Sequence, residues 1–152
     1  MLIEVGADAP DFTLKTSIGE DFRRSDLEGM LRLMMVFYPK DFTPVCSDQL
    51  IQVRKNIHHL RKAGVEPIGV NPGDAETHER FREAHALNFP LLVDENADVA
   101  KAYGAVTSEG GILRSVIVVG RNGKVIYAKQ GKPAWQLVLN AIRPIDDTIA
   151  VN

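Results

Sequence analysis

The sequence predicts a three-layer α/β domain in which helices cover both faces of a central mixed β-sheet. Three observations support this prediction. Segments with strand and helix patterns alternate along the 152 residues. Residues 31–38 are apolar except for Arg32, which is typical of a strand buried on both faces. The Asn122-Gly123 pair between two apolar runs indicates an antiparallel hairpin late in the chain. We expect one domain over residues 1–152, because this length suits a single core.

The first predicted element is an N-terminal β-hairpin with strands at 12–14 and 21–23. The strand at 31–38 follows, and then a helix that Thr43 caps, with Pro44 in its first position. This helix is expected to continue to Gly64, with apolar side chains on one side at Leu50, Val53, Ile57 and Leu60.

The rest of the chain continues the alternation. The predicted elements are a strand at 65–71, a helix from Asp74 to about Ala86 with Phe81 and residues 84–87 facing inward, a strand at 89–93, a small helix capped by Asn96 that ends at 103–104, strands at 115–119 and 125–128, and a helix at 134–142. This order is compatible with a thioredoxin-like core that carries additions.

Composition excludes several classes of function. The net charge of −2 gives no reason to expect nucleic acid or an anionic membrane as a partner. No apolar run reaches transmembrane length, and no basic leader with an apolar stretch opens the chain, so we expect neither a membrane span nor a secretory signal. One cysteine cannot form an internal disulfide, which favours a reducing cytoplasm as the location.

That cysteine, Cys46, lies where the predicted helix begins. A thiol there faces the positive end of the helix dipole and free backbone N–H groups, which are conditions that favour a reactive thiolate. Thr43 is expected to accept a capping hydrogen bond while its hydroxyl proton points to the sulfur. The rigid ring of Pro39 is expected to cover one side of the sulfur.

The pattern Pro39-x-x-x-Thr43-x-x-Cys46 resembles the active-site signature of the peroxiredoxins. The surrounding segment 37–44 is most similar to their Q-type branch, the bacterioferritin-comigratory proteins. Further blocks that resemble the family occur in the correct order, at 6–12, 89–94, 100–104, 111–115 and 123–125.

The resemblance implies a role for each matching residue. Cys46 is expected to be the peroxidatic cysteine, which attacks a hydroperoxide and becomes a sulfenic acid. Arg114 is expected to supply a cation for the thiolate and the departing oxygen, and Thr43 to hold the peroxide. Pro39 is expected to exclude water, and the backbone N–H groups of Val45 and Cys46 to complete the donors.

Two positions depart from the family pattern. Ile51 stands where many Q-type relatives have a resolving cysteine, so an external thiol such as thioredoxin, glutaredoxin or a small thiol is expected as reductant. Gln49 stands where a glutamate often orients the arginine. Phe42 is expected to line the substrate entrance. The resemblance implies no metal or other cofactor, and either a monomer or a homodimer.

Other interpretations stay open at this point. Cys46 could serve a redox sensor or relay that passes oxidation to a partner protein, or the domain could be a chaperone-like module without chemistry. His78 and His85 lie seven residues apart among glutamates, but without a metalloprotease-type spacing, so no metal site is predicted. Trp135 is interpreted as part of the terminal helix core.

Overall fold

The computed structural model describes residues 1–149. The strands are β1 (Thr13–Thr16), β2 (Asp21–Arg23), β3 (Arg32–Phe37), β4 (Val65–Asn71), β5 (Leu91–Val93), β6 (Ser115–Val119) and β7 (Val125–Gln130). The helices are α1 (Pro44–Lys55), α2 (Ile57–Lys62), α3 (Ala75–Ala84), α4 (Asp98–Ala102) and α5 (Trp135–Ile142). No helix within residues 1–149 is both long and apolar enough to cross a membrane.

All seven strands form one mixed sheet in the order β2-β1-β5-β4-β3-β6-β7. The central strand β3 pairs in parallel with β4 and antiparallel with β6. Every residue of β3 is buried, and its side chains alternate between two apolar clusters. One cluster contains side chains of α1, α2, α3 and α5, and the other contains those of α4. The predicted three-layer, thioredoxin-like α/β fold is therefore confirmed.

The predicted N-terminal hairpin forms from β1 and β2. It is also part of the main sheet, because β1 pairs antiparallel with β5 through Lys15 and Thr16. The late hairpin of β6 and β7 forms as expected, and Gly123 takes the positive φ of 78° that its turn requires.

Two helix predictions were wrong in detail. The single helix expected up to Gly64 is two helices, because Asn56 leaves the helical conformation at φ −117° and ψ 15°. Asn96 does not cap α4, since it has a positive φ of 60°. The Asp94 carboxylate accepts instead from the backbone N–H groups of Val99 and Ala100, both at 2.9 Å.

The end of α3 also differs from the prediction. The helix ends at Ala84, and Ala86 follows with a positive φ of 49°. Ala84 and Ala86 are exposed, while Phe81 and Leu87 are buried as expected.

Arg32, the one charged residue in the apolar run, is buried and pairs with a carboxylate near the carboxyl end of the chain. Its Nε donates to Asp147 Oδ2 at 2.7 Å, and its guanidinium also donates to the carbonyls of Ile142 and Ile145. Arg121 donates to the same carboxylate at 2.6 Å. Burial alone raises the pKa of Asp147, but the hydrogen bonds from Arg32 and Arg121 outweigh it and hold the pKa well below its usual range.

Candidate active site

Strand β3 delivers the cysteine to the site. The chain leaves β3 after Phe37, and Thr43 takes the extended conformation of an N-cap before Pro44 opens α1. Cys46 therefore lies in the first turn, where the N–H groups of Val45 and Cys46 have no acceptor four residues earlier in the helix. The Cys46 side chain is buried, with only 1% exposed.

The register of the sheet brings Arg114 to this sulfur. Ser115 pairs with Phe37, so Arg114 lies beside the end of β3 where the cysteine loop begins. Arg114 Nη2 donates to Cys46 Sγ at 2.9 Å, and Nη1 donates to Gln49 Oε1 at 2.9 Å. Gln49 is buried and follows Cys46 by three residues, on the same side of α1.

The charge of Arg114 is directed at the sulfur. Within residues 1–149, no carboxylate forms a salt bridge with Arg114. The neutral oxygen of Gln49 holds the guanidinium in place without neutralising it. A helix N-terminus and an unneutralised guanidinium thus meet at one buried sulfur, which suits a negatively charged nucleophile.

Thr43 occupies the N-cap position but does not cap the helix with its side chain. Its hydroxyl donates to the carbonyl oxygen of Lys40 at 3.1 Å. The prediction of a capping hydrogen bond was therefore wrong, because the loop offers a carbonyl three residues back that competes for the hydroxyl. Pro39 is exposed and directly follows the buried Tyr38.

Phe42 and Val45 form the exposed apolar part of this loop, with 53% and 47% of their surfaces accessible. Phe42 has a φ of 62°, a left-handed conformation that is strained for a bulky residue. Its ring contacts the Phe81 ring of α3 edge-on, with centroids 5.1 Å apart. The position at the loop surface is compatible with the expected entrance.

Sequence reasoning missed a buried polar cluster beneath the loop. Tyr38 Oη donates to Asp41 Oδ1 at 2.7 Å, and Asp41 Oδ2 lies 2.5 Å from His78 Nδ1. His78 Nε2 lies 3.0 Å from the Asn71 carbonyl oxygen. One signal was available: His78 precedes the core residue Phe81 by three positions, which places both on one face of α3.

A cavity of ≈ 250 Å³ lies between α1 and α5, lined by residues that include Gln49, Val53 and Trp135. Trp135 is partly buried against the core, as expected, and its ring stacks on His59 at 4.7 Å. The described part of the chain, residues 1–149, contains no group of three or more His, Cys, Asp or Glu side chains arranged to hold a metal ion.

Comparison with known proteins assigns the family. Residues 5–128 match the AhpC/TSA family. The peroxiredoxin Bcp of Bacillus subtilis is 35% identical over 154 residues, which cover 97% of this chain and 98% of that protein. This chain is a peroxiredoxin of the AhpC/TSA family. The peroxiredoxin Bcp of Escherichia coli K12 is 34% identical over 130 residues, covering 81% of this peroxiredoxin and 83% of its relative.

Solved structures agree with this assignment. Peroxiredoxin Q of Xanthomonas campestris has a TM-score of 0.83 at 25% identity and covers 93% of this chain and 96% of its own. Peroxidoxin BcpB of Mycobacterium tuberculosis has a TM-score of 0.87 at 21% identity, covering 95% and 99%, and shows the same fold. The expected similarity to the Q-type branch is confirmed. As a peroxiredoxin, the protein is a thiol-dependent peroxidase, and its single cysteine leaves it without a resolving cysteine.

Proposed function

We propose that this peroxiredoxin reduces hydrogen peroxide and organic hydroperoxides through Cys46 alone, and that an external thiol restores the oxidised cysteine. The observation that carries the proposal is the 2.9 Å contact between Arg114 Nη2 and Cys46 Sγ at the start of α1. The Arg114 cation lies beside a buried sulfur, and within residues 1–149 it forms no salt bridge with a carboxylate. Its charge is therefore available to stabilise a thiolate.

In the oxidation step, the Cys46 thiolate attacks the terminal oxygen of the hydroperoxide. A sulfur–oxygen bond forms as the oxygen–oxygen bond breaks, so sulfur loses two electrons and becomes a sulfenic acid. The departing alkoxide or hydroxide takes up a proton and leaves as an alcohol or water. Arg114 stabilises the negative charge as it moves from the sulfur to the leaving oxygen, which is electrostatic stabilisation by a preorganised donor.

The neighbouring residues support this step. Gln49 is a positioning residue, because its side-chain oxygen fixes the Arg114 guanidinium. The N–H groups of Val45 and Cys46 donate to the bound peroxide. Thr43 contributes its hydroxyl after releasing the Lys40 carbonyl that it contacts in the free protein. Phe42 and Pro39 border the entrance.

The reduction step needs two external thiols, because the chain has no second cysteine. The first thiol attacks the Cys46 sulfenic acid, forms a mixed disulfide and releases water. The second thiol attacks that disulfide, which regenerates Cys46 and leaves the two external thiols oxidised to a disulfide. Thioredoxin, glutaredoxin and low-molecular-weight thiols have the chemistry required.

Peroxide consumption with each reductant supplied in parallel tests the proposal. We expect repeated turnover with at least one of dithiothreitol, glutathione with glutaredoxin, or thioredoxin with its reductase. The Cys46→Ser variant is expected to fold and to consume no peroxide. Undiminished turnover in that variant would refute the assignment of Cys46.

The burial of Cys46 is also compatible with a second candidate, a redox sensor or relay whose sulfenic acid transfers its oxidation only after a bound partner protein has opened the loop. With 1% of the side chain exposed, a bulky reductant cannot reach the sulfur in this conformation. A sensor would react with one equivalent of peroxide and then stall in dithiothreitol, whereas the peroxidase continues. The same assay therefore separates the two candidates.

The location and the assembly state remain predictions. We retain the cytoplasm as the expected compartment, because a single reactive thiol needs a reducing environment. A monomer and a homodimer are both compatible with this mechanism, since the groups at Cys46 all come from one chain.

A further inference from the structure

We propose that Asp41 and His78 form a latch that holds the cysteine loop closed over Cys46, and that release of this latch admits the external thiol. The latch is defined as the contact between the Asp41 carboxylate of the loop and the His78 imidazole of α3. The proposal rests on the proposed function in one respect, because that function requires an external thiol to reach Cys46.

The latch is a buried ion pair. His78 is fully buried and Asp41 is 6% exposed. Both ring nitrogens of His78 face acceptors, Asp41 Oδ2 at 2.5 Å and the Asn71 carbonyl at 3.0 Å. Only the doubly protonated ring can donate to both, so the geometry favours the imidazolium. Burial alone lowers the pKa of His78, but the hydrogen bond and charge of Asp41 outweigh it and raise the pKa.

Asp41 is the deepest attachment of the loop. The flanking residues Lys40, Phe42 and Pro44 are exposed, while Asp41 alone points inward to Tyr38 and α3. Loss of this anchor therefore frees the segment that precedes the cysteine helix.

Backbone strain at Phe42 favours the open loop. Its left-handed backbone, at φ 62°, is unfavourable for a residue with a large side chain. The strained residue directly follows Asp41, and its ring lies against the ring of Phe81 in α3 and that of His85, which follows the helix. A buried ion pair that holds a strained neighbour gives the loop two conformations, closed with strain and open without it.

The sulfur requires such an opening. Cys46 is 1% exposed, and Arg114 occupies one approach to its Sγ atom. A peroxide is small, but a thiol that attacks the sulfenic acid must bring its own sulfur and carbon chain into line with the sulfur–oxygen bond. The closed loop suits the first reaction, and the open loop suits the second.

The latch also predicts a pH dependence. The groups that face His78 are the Asp41 carboxylate, the Asn71 carbonyl, the Asp74 carboxylate at the start of α3, and, through Asp41, the Tyr38 hydroxyl. Because the pKa of folded His78 is raised, the stabilisation is complete below the ordinary histidine value and is lost as pH rises through the raised pKa. The loop is therefore expected to open more often in alkaline solution.

Two thiol reagents of different size test the proposal without any peroxide. Iodoacetamide is small, whereas dithiobis(nitrobenzoate) is a bulky aromatic disulfide. Both react with the thiolate of Cys46. The ratio of the bulky rate to the small rate cancels the thiolate fraction and reports access. We expect this ratio to rise at least about tenfold in His78→Gln and in Asp41→Asn, because breaking a buried pair leaves an unpaired polar group.

His58→Gln is the matched control, since His58 is exposed on α2 and its change is expected to leave the ratio unaltered. Tyr38→Phe removes only the hydroxyl that supports Asp41, so a smaller rise in the ratio is expected even if the other variants fold poorly. In the unaltered protein the ratio is expected to rise as the pH rises above the ordinary histidine pKa of about 6.5, and in His78→Gln it is expected to be flat.

Folded variants with an unchanged ratio, together with a flat pH profile in the unaltered protein, would overturn the latch. If no variant at Asp41 or His78 folds, the Tyr38→Phe ratio and the pH profile decide the matter alone. The proposed function fails separately, when the unaltered protein consumes no peroxide with any thiol while the ratio still responds as expected.

Discussion

Replacing Arg114 by Met removes the cation from the sulfur while keeping a side chain of comparable reach. The change deletes two hydrogen bonds, to Cys46 Sγ and to Gln49 Oε1, both at 2.9 Å. A hydrogen bond to a charged group contributes about 1.5–3 kcal/mol, and ~1.4 kcal/mol changes a rate tenfold, so oxidation of Cys46 should slow by roughly 10- to 150-fold. Because Arg114 is half-buried, solvent screening favours the lower part of this range.

The assay is a single turnover, with reduced protein in excess over peroxide and the remaining peroxide measured after rapid quenching. Alkylation of Cys46 by iodoacetamide at neutral pH should also slow in the same variant, because no guanidinium then donates to the sulfur. Arg143→Met is the matched control, since Arg143 is exposed and its side chain donates to Asn140 rather than to any group at Cys46.

The reasoning fails if Arg114→Met is oxidised at a rate within twofold of the unaltered protein and is alkylated at the same rate. Thermal unfolding of both variants by circular dichroism shows whether the fold is intact. Arg114→Lys adds a further comparison. Lysine retains the charge but cannot donate to Cys46 and Gln49 together in the same planar geometry. The oxidation rate of Arg114→Lys should therefore lie between that of Arg114→Met and that of the unaltered protein.

Three further predictions concern stability. Asp147→Asn leaves the buried Arg32 without its counter-charge and should lower the free energy of unfolding by about 3–5 kcal/mol in urea titration, whereas a loss below about 1 kcal/mol would contradict the buried pair. Because the pKa of Asp147 is held low, its stabilisation is present above about pH 4 and is lost as pH falls, so unaltered protein should lose more stability than Asp147→Asn between pH 7 and pH 3. Thr43→Ala should lower the free energy of unfolding by less than about 0.5 kcal/mol, and Asp74→Ala should lower it by more than Thr43→Ala does, because of these two N-cap residues Asp74 caps its helix with a side chain and Thr43 does not; equal losses would contradict this difference.

The fold could be predicted largely because its elements have strong local patterns. The apolar run before Cys46 became the central strand, and Asn122-Gly123 made the late hairpin. Pro44 opened α1 as expected, since proline suits the first turn of a helix. The errors lie at helix boundaries, where Asn56 leaves the helical conformation and Asn96 takes the left-handed conformation that asparagine tolerates better than most residues.

The candidate site also has one part that local sequence predicts and one part that depends on the fold. The chain alone placed Cys46 at a helix start, because the local signals of strand, cap position and proline occur within ten residues. The approach of Arg114 was expected from family resemblance only, because the two residues are 68 positions apart and the chain between them carries no local signal of contact. The pairing of Ser115 with Phe37 in the sheet creates that contact.

The sequence by itself determined the layered α/β architecture, the single reactive thiol and the helix start that holds it, because each depends on residues close together in the chain. Only the tertiary structure decided that Arg114 lies within hydrogen-bond distance of Cys46 and that His78 reaches Asp41 across 37 residues. Burial and sheet register set these partners. Both depend on contacts between distant segments, and these form only when the chain has folded.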